Sequence, residues 1–141
     1  MKLIKDEWET PTWLFYKLHQ EFHFNLDVAA TMENSKCLKY FTKEDNALMQ
    51  KWDGRCFMNP PYSRGNIDQF VRKAAVEIVT NSLCEVIVGV LPVRTSTNWF
   101  HNWVYNKAEL RFLHKRVKFV FNGVQATAGD FYATMVVIWK K

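Results

Sequence analysis

Residues Glu85-Val86-Ile87-Val88-Gly89-Val90-Leu91 form a nearly unbroken apolar run of the length of one β-strand. A strand of this kind is typical of a parallel sheet that is covered on both faces. Helices are predicted on either side of it, over Ile67–Ile78, where apolar residues recur at helical spacing, and over Thr97–Tyr105. A second apolar strand is predicted upstream, at Arg55–Met58. The alternation of strand and helix predicts an α/β fold.

The N-terminal part of the chain is expected to follow the same alternation. Thr10 and Pro11 predict the start of a helix, with Thr10 as the N-cap and Pro11 at the first helical position. A short buried strand is predicted to begin at Phe24 and to end near Asp27, and a short helix is predicted over Lys43–Lys51. Because ligands of open α/β sheets bind at the carboxyl ends of the strands, a site is expected where polar residues follow these strands.

Three strands are predicted towards the end of the chain, at Glu109–Leu113, Val117–Phe121 and Ala133–Trp139. The last two are expected to form an antiparallel pair around the turn signals at Asn122-Gly123 and at residues 128–130. The expected architecture is therefore a compact mixed sheet with an antiparallel C-terminal pair. Residues 1–141 are expected to form a single domain without a separate target-recognition domain.

Composition excludes several classes of protein. Of the 141 residues, 48% are hydrophobic and 23% are charged, which is typical of a globular domain. No apolar run approaches the roughly 20 residues that a membrane span needs, and the N-terminus has no signal-peptide pattern. The three cysteines have no metal-ligand spacing, so we expect reduced cytosolic thiols and no metal site.

The net charge of +5 is unevenly distributed along the chain. Residues 1–62 carry eight basic and nine acidic side chains, whereas residues 63–141 carry eleven basic and five acidic ones. A basic half favours a polyanionic partner such as nucleic acid, because neutralisation of phosphates dominates binding to such partners. A soluble protein with a high isoelectric point is the alternative that charge alone leaves open.

The motif Asn59-Pro60-Pro61-Tyr62 follows the predicted strand at Arg55–Met58. Two consecutive prolines fix the backbone and remove two amide donors, so a carbonyl group here is held rigidly as an acceptor. Asn59 offers an amide oxygen beside it, and Tyr62 offers an aromatic face. This combination suits an exocyclic amino group on a planar ring. A tight turn with Asn59 as a local cap is the structural alternative.

Further stretches follow one another in a specific order and spacing. They are Glu7–Pro11, Leu26–Thr31, Asn34–Cys37, Phe57–Ser63, Leu91–Thr95, Trp99–His101 and Ala108–Phe112. Together they resemble the phage-type DNA N6-adenine methyltransferase (Dam) family, over nearly the whole chain. The resemblance implies a Rossmann-like class I methyltransferase that depends on S-adenosylmethionine. It also implies a phage or prophage gene whose product acts in the bacterial cytoplasm.

The resemblance implies that Asn59, Pro60, Pro61 and Tyr62 are the catalytic residues. The N6 lone pair of adenine is delocalised into the ring, so hydrogen bonds to the Asn59 side chain and the Pro60 carbonyl would free it for attack on the methyl group. Tyr62 would stack on the target adenine, which must be flipped out of the duplex. The product cofactor is S-adenosylhomocysteine, and no metal is expected.

The resemblance also implies the cofactor-binding residues. Asp27, at a strand end, would face the ammonium group of S-adenosylmethionine, with a helix cap as the alternative interpretation. Ala29 lies in an alanine-rich segment where other methyltransferases carry a glycine-rich loop. Asp45 or Asn46 would contact the cofactor adenine, since the acidic residue that usually precedes Ala47-Leu48 is replaced by Asn46. The remaining candidates are Thr10, Pro11 and Phe57, for which capping or core packing are the alternatives.

Double-stranded DNA is the expected partner, contacted by basic residues of the second half. The candidates are Arg64, Arg94, Lys115, Arg116 and Lys118, with a solvated surface as the alternative for Lys115 and Lys118. Two other functions remain open. One is methylation of another amino acceptor, such as an RNA base or a protein glutamine, and the other is a non-catalytic nucleic-acid-binding relic. The recognised DNA sequence, a monomeric or homodimeric state and a role in restriction protection or regulation also stay open.

Overall fold

Six strands lie side by side in one mixed sheet, with helices packed against it, in a computed structural model that describes residues 8–125 and 133–141. The helices are α1 (Thr12–Phe22), α2 (Asn66–Thr80) and α3 (Asn98–Trp103). The strands are β1 (Leu26–Asp27), β2 (Lys39–Tyr40), β3 (Gly54–Met58), β4 (Cys84–Pro92), β5 (Glu109–Phe112), β6 (Val120–Phe121), β7 (Val124–Gln125) and β8 (Thr134–Lys140).

The sheet has the strand order β2-β1-β3-β4-β8-β5. Strands β2, β1, β3 and β4 run parallel, and Asp27 of β1 is in register with Phe57 of β3, which is in register with Val88 of β4. Strand β8 is antiparallel to both β4 and β5. The mixed α/β fold predicted from the sequence is therefore confirmed. The carboxyl ends of the parallel strands meet at one edge of the sheet, as their shared direction requires.

Strand β4 is the centre of the hydrophobic core. Eight of its nine residues are buried, and only Glu85 is exposed. Helix α2 packs against β4 and β8 and buries Ile67, Val71 and Ile78, which lie on the face that the helical spacing predicts. A strand covered on both faces matches its nearly continuous apolar sequence.

The predicted pairing of the strand at Val117–Phe121 with the strand at Ala133–Trp139 is wrong. Strand β6 pairs with β7 in a separate two-stranded hairpin, and β8 lies between β4 and β5. Asn122 and Gly123 both have positive φ, at 50° and 80°, which is the backbone of a two-residue hairpin turn. This turn therefore connects β6 to β7, which follows it directly in the sequence. Strand β8 has six buried residues of seven, and such a strand fits the interior of a sheet rather than a hairpin.

Two predicted helix features are also corrected. Helix α1 has Pro11 as its N-cap residue, and no side chain caps it, so Thr10 is not the N-cap. The helix predicted over Lys43–Lys51 is reduced to a 3₁₀ turn at Ala47–Met49. Asn46 immediately before this turn has a φ of 54°, a left-handed conformation that a regular α-helix does not accept.

Glu77 is a buried carboxylate that anchors the loop before β3. It accepts a hydrogen bond from the backbone amide of Trp52 at 2.7 Å and pairs with Lys73 at 3.0 Å. We expect Glu77→Ala to lower the free energy of unfolding by about 1–3 kcal/mol, because the buried amide loses its acceptor. Urea denaturation measures this. Glu85→Ala, which removes only an exposed ion pair, should cost little, and equal losses in the two variants would contradict the interpretation.

Candidate active site

A cavity of about 480 Å³ lies where β1 and β3 end. It brings together residues that are far apart in the sequence, from the segment before α1 to the start of α2. Of the residues predicted for the site, it is lined by Thr10, Asp27, Ala29, Asn46, Phe57, Asn59 and Pro61. Pro11, Asp45, Pro60 and Tyr62 do not line it. A volume of this size is typical of pockets for small molecules and cofactors.

Asp27 is a buried carboxylate in the wall of this cavity, with 3% of its surface exposed. Its two oxygens accept hydrogen bonds from the backbone amides of Ala29 at 3.3 Å and of Lys36 at 3.0 Å. Burial raises the pKa of Asp27 to about 6, against the opposing effect of these two hydrogen bonds. The carboxylate ends a strand and organises the following loop, which contains no helix, so the helix-cap alternative does not apply. A cation in the cavity would stabilise its ionised form.

Thr10 is a buried residue in the wall of the same cavity. The residue is 2% exposed, and its Oγ1 has no hydrogen-bond partner among the described residues. Buried hydroxyl groups almost always have a hydrogen-bond partner, so this unpaired hydroxyl makes Thr10 a candidate for contact with a ligand. The neighbouring Glu9 forms an antiparallel bridge with Val120, which holds this segment beside the hairpin.

Asn59 follows β3 and lines the cavity with its side chain half-buried. Its Nδ2 donates a hydrogen bond to the backbone carbonyl of Trp8 at 3.1 Å. Because the amide nitrogen is engaged in this way, the side-chain oxygen is oriented as an acceptor. Pro60, which follows, is buried. The segment thus carries a fixed amide oxygen next to a backbone that has no amide donors at two successive positions.

Tyr62 does not offer the free aromatic face that its sequence position suggests. It is 1% exposed, its hydroxyl donates to the Val90 carbonyl at 2.6 Å, and its ring meets the Phe119 ring edge-on with centroids 5.8 Å apart. Arg94 is half-buried and donates from Nη1 to the Tyr62 backbone carbonyl at 3.0 Å. The side-chain hydroxyl and the backbone carbonyl of Tyr62 are therefore both hydrogen-bonded in this conformation. The segment that carries Phe119 covers its ring.

Asp45 and Asn46 have different positions relative to the cavity. Asn46 lines it, in a left-handed backbone conformation that asparagine adopts more readily than most residues. Asp45 instead accepts hydrogen bonds from the amide and hydroxyl of Thr42, which hold the pKa of its carboxyl below the usual range. Of the two candidates, Asn46 is the one whose side chain is available to a ligand in the cavity.

Comparison with known proteins matches the sequence to a family. The sequence profile of the family described as DNA N-6-adenine-methyltransferase (Dam) matches residues 1–141. The chain belongs to this family. It is 38% identical over 125 residues to the DNA N-6-adenine-methyltransferase of Haemophilus phage HP1, a match that covers 86% of this chain and 70% of the phage protein.

A second relative in the Dam family is the DNA N-6-adenine-methyltransferase of Escherichia phage T1. It is 34% identical over 110 residues, which cover 76% of this chain. The same match covers only 44% of the T1 protein, so more than half of that relative lies outside the matched region. Both relatives come from phages, and the family resemblance inferred from the sequence is confirmed.

Of the five basic residues predicted to contact DNA in this Dam family chain, Arg94 is half-buried and the other four lie on exposed segments. Arg64 is exposed in the loop between the motif and α2. Lys115, Arg116 and Lys118 are exposed, whereas Phe119 beside Lys118 is buried against Tyr62. The segment therefore has a charged outer side and an apolar inner side that contacts the motif.

Among the described residues that line the cavity, seven polar ones were not predicted as site residues from the sequence, namely Glu9, Thr31, Asn34, Lys36, Thr42, Lys43 and Asn66. Lys36 lines it and donates its backbone amide to Asp27, Asn34 braces the loop through Thr31 at 2.7 Å, and Asn66 lines it from the first turn of α2. Asn34 and Lys36 lie in one of the stretches that resemble the Dam family. That resemblance was the only signal that could have pointed to them, because neither follows a predicted strand or forms a recognisable motif.

Two negative observations apply to the described parts of the chain. No helix in residues 8–125 and 133–141 is long and apolar enough to span a membrane. In the same residues, no three His, Cys, Asp or Glu side chains lie together as potential metal ligands. The charged residues that line the cavity are Glu9, Asp27, Lys36 and Lys43.

Proposed function

We propose that this protein transfers a methyl group from S-adenosylmethionine to the exocyclic N6 of adenine in double-stranded DNA, on a Rossmann-like class I methyltransferase sheet. The observation that carries the proposal is that Asn59 of the Asn-Pro-Pro-Tyr motif lines the same cavity as the buried Asp27. The family match and the names of the two phage relatives support the same activity.

The residues of the cavity fit S-adenosylmethionine. The buried Asp27, whose pKa is raised by burial, would bind the ammonium group, because a cation favours the ionised carboxylate. The unpaired hydroxyl of Thr10 would donate to the carboxylate group of the cofactor. Phe57 and Asn46 would contact the adenosine, and the small side chain of Ala29 leaves room for it. The cofactor supplies an electrophilic methyl group on a positively charged sulfur.

The catalytic motif would orient the acceptor. The Asn59 oxygen and the Pro60 carbonyl would each accept a hydrogen bond from the two N6 hydrogens of adenine. These bonds withdraw the lone pair from conjugation with the ring and direct it towards the methyl group. Positioning and electrostatic stabilisation of this kind account for most of the catalysis in such a transfer.

DNA binding would require the target adenine to leave the duplex, because N6 is not accessible to an enzyme within the base stack. For Tyr62 to stack on that base, Phe119 must first move off its ring, since Tyr62 is buried in the present conformation. Arg64, Lys115, Arg116 and Lys118 would bind phosphates, and binding should therefore weaken steeply as the salt concentration rises.

One assay tests the proposal. The protein is incubated with S-adenosylmethionine that carries a tritiated methyl group and with duplex DNA, RNA or protein, and the products are digested and separated. We expect label in N6-methyladenine from DNA. Label in RNA or in protein glutamine would favour the alternative acceptors. The absence of label from all three substrates, with DNA still bound, would favour the non-catalytic relic.

Asn46 rather than Asp45 should contribute to cofactor binding. We expect Asn46→Ala to raise the dissociation constant of S-adenosylhomocysteine by about tenfold, which corresponds to the loss of one hydrogen bond. Asp45→Ala should leave this constant close to the wild-type value, because Asp45 only closes a turn with Thr42. Isothermal titration calorimetry measures both. A larger effect in Asp45→Ala than in Asn46→Ala would reverse the assignment.

A further inference from the structure

Arg94 connects the loop after β4 to the catalytic motif. Its Nη1 donates a hydrogen bond to the backbone carbonyl of Tyr62 at 3.0 Å, and its side chain is half-buried. A charged donor forms a stronger hydrogen bond than a neutral one. The sequence suggested a phosphate contact for this residue, but in the structure the guanidinium binds the protein's own backbone.

The catalytic motif needs external anchors of this kind. Pro60 and Pro61 have no amide hydrogens, so the segment cannot anchor itself through its own donors at these two positions. The Tyr62 hydroxyl donates to Val90 of β4 at 2.6 Å, and the Ser63 carbonyl accepts from the amides of Asn66 and Ile67 at the start of α2. Arg94 adds a cationic anchor between these two points, at the carbonyl of the last motif residue.

Arg94 is itself held in place from α3. The Thr97 hydroxyl donates to the Arg94 carbonyl at 2.8 Å and accepts the Phe100 amide at 3.3 Å, as the N-cap of α3. His101 of the same helix contacts the Thr95 carbonyl through Nε2 at 2.6 Å. The loop between Pro92 and Asn98 is thus bonded to α3 at one end and continues β4 at the other. These connections restrict the position of the Arg94 guanidinium.

We propose that Arg94 is a positioning residue for methyl transfer, which fixes the Asn-Pro-Pro-Tyr segment through the Tyr62 carbonyl, with Thr97 as its support. This inference rests on the proposed function. Displacement of reacting groups by about 1 Å can cost a hundredfold in rate, so loss of this anchor acts on the chemical step. A phosphate contact at Arg94 would act on DNA affinity and its salt dependence instead.

The two roles are distinguished by measuring the rate of methyl transfer and DNA affinity separately. Single-turnover rate constants at saturating DNA and cofactor are determined for the wild type, Arg94→Gln and Arg94→Lys. DNA dissociation constants are determined for the same proteins over a series of salt concentrations. Arg72→Gln serves as the matched control, because Arg72 is an exposed arginine of α2 that lies over the Trp103 ring, away from the motif.

For Arg94→Gln we expect the rate constant to fall by about 10- to 100-fold, with an unchanged slope of DNA affinity against salt. Arg94→Lys should recover part of the rate, since lysine keeps a charged donor without the planar fork of arginine. Arg72→Gln should match the wild type in both measurements. Arg64→Gln should show the contrasting signature, with weaker DNA binding and a salt slope lower by about one.

Thr97 provides a second test that does not alter the guanidinium. Thr97→Ala should slow methyl transfer in the wild type but add little in the Arg94→Gln background, because both changes release the same anchor. Thr97→Ser keeps the hydroxyl group and should behave as the wild type. Melting temperatures of all variants show whether the fold persists.

Two results would overturn the inference while leaving the proposed function intact. One is an Arg94→Gln variant with a normal rate constant at saturating DNA but a reduced salt slope, the signature of a phosphate contact. The other is a Thr97→Ala effect of full size in the Arg94→Gln background, which would show that the two residues act independently. A wild-type protein that forms no N6-methyladenine in DNA would overturn both the proposed function and this inference.

Discussion

Replacement of Asn59 by alanine is expected to reduce adenine methylation by about a thousandfold, which is the size of effect seen when one preorganised electrostatic contact is removed from an active site. Asn59 lines the cavity, and its amide nitrogen is engaged with the Trp8 carbonyl, so its oxygen is presented as an acceptor. No neighbouring side chain of the motif can replace this acceptor. The measurement is the single-turnover formation of N6-methyladenine in duplex DNA.

Three comparisons separate catalysis from folding in this experiment. Asn59→Ala should keep its melting temperature within a few degrees and should still bind S-adenosylhomocysteine, because the side chain is only half-buried. Asn59→Asp keeps the oxygen but loses the donor to Trp8, so it should retain more activity than the alanine variant. Asn102→Ala, on the exposed side of α3, is the matched control. Wild-type activity in Asn59→Ala would refute the proposed mechanism.

Replacement of Asp27 by asparagine is expected to weaken cofactor binding by about a hundredfold and to remove its dependence on pH between about 4 and 6. Burial raises the pKa of Asp27 to about 6, so the carboxyl is largely protonated below this pH. Binding of an ammonium group favours the ionised form. Affinity of the wild type should therefore increase as the pH rises towards 6 and level off above it.

Stability of the unbound protein should change in the opposite direction. Between the ordinary pKa of 3.8 and the value of about 6, the folded state binds a proton more tightly than the unfolded state does. The contribution of Asp27 to stability is therefore complete below pH 4 and is lost as the pH rises through 6, by at most about 3 kcal/mol. Asp27→Asn should remove this decline.

The Asp27 experiment uses calorimetry with S-adenosylmethionine for affinity and urea denaturation for stability, each at several pH values. Asp68→Asn, at an exposed position in the first turn of α2, is the matched control and should change neither profile. An affinity that is independent of pH in the wild type would show that Asp27 does not bind the cation. A normal affinity in Asp27→Asn would lead to the same conclusion.

Local patterns in the sequence were sufficient for the central part of the fold. The apolar run of β4 and the helical spacing of α2 predicted both elements correctly, because burial on both faces leaves a continuous apolar run and burial of one stripe leaves apolar residues at helical spacing. The motif at Asn59–Tyr62 was visible for a similar reason, since two prolines restrict the backbone wherever they occur. Asp27 was noted at a predicted strand end and Thr10 at a predicted helix start, and the family resemblance added their cofactor-binding roles.

Contacts between distant segments could not be predicted in the same way. Val117–Phe121 was assigned the wrong partner strand, because alternation predicts a strand but does not specify which strand it pairs with. The burial of Tyr62 depends on Phe119 and Val90, which lie 57 and 28 residues away along the chain. Charge and a position after a predicted strand end suggested a DNA contact for Arg94, whereas the hydrogen bond to Tyr62 required the loop after β4 to approach the motif.

The sequence by itself determined the α/β pattern, the Asn-Pro-Pro-Tyr motif and the end of the sheet where the cavity lies. These follow from interactions between near neighbours in the chain and from the direction of parallel strands. The tertiary structure alone decided which side chains share the cavity, which of Asp45 and Asn46 faces it, and how the motif is anchored. Those outcomes depend on the packing of segments that are more than a hundred residues apart in the chain, such as Glu9 beside Val120, and no local pattern encodes that packing.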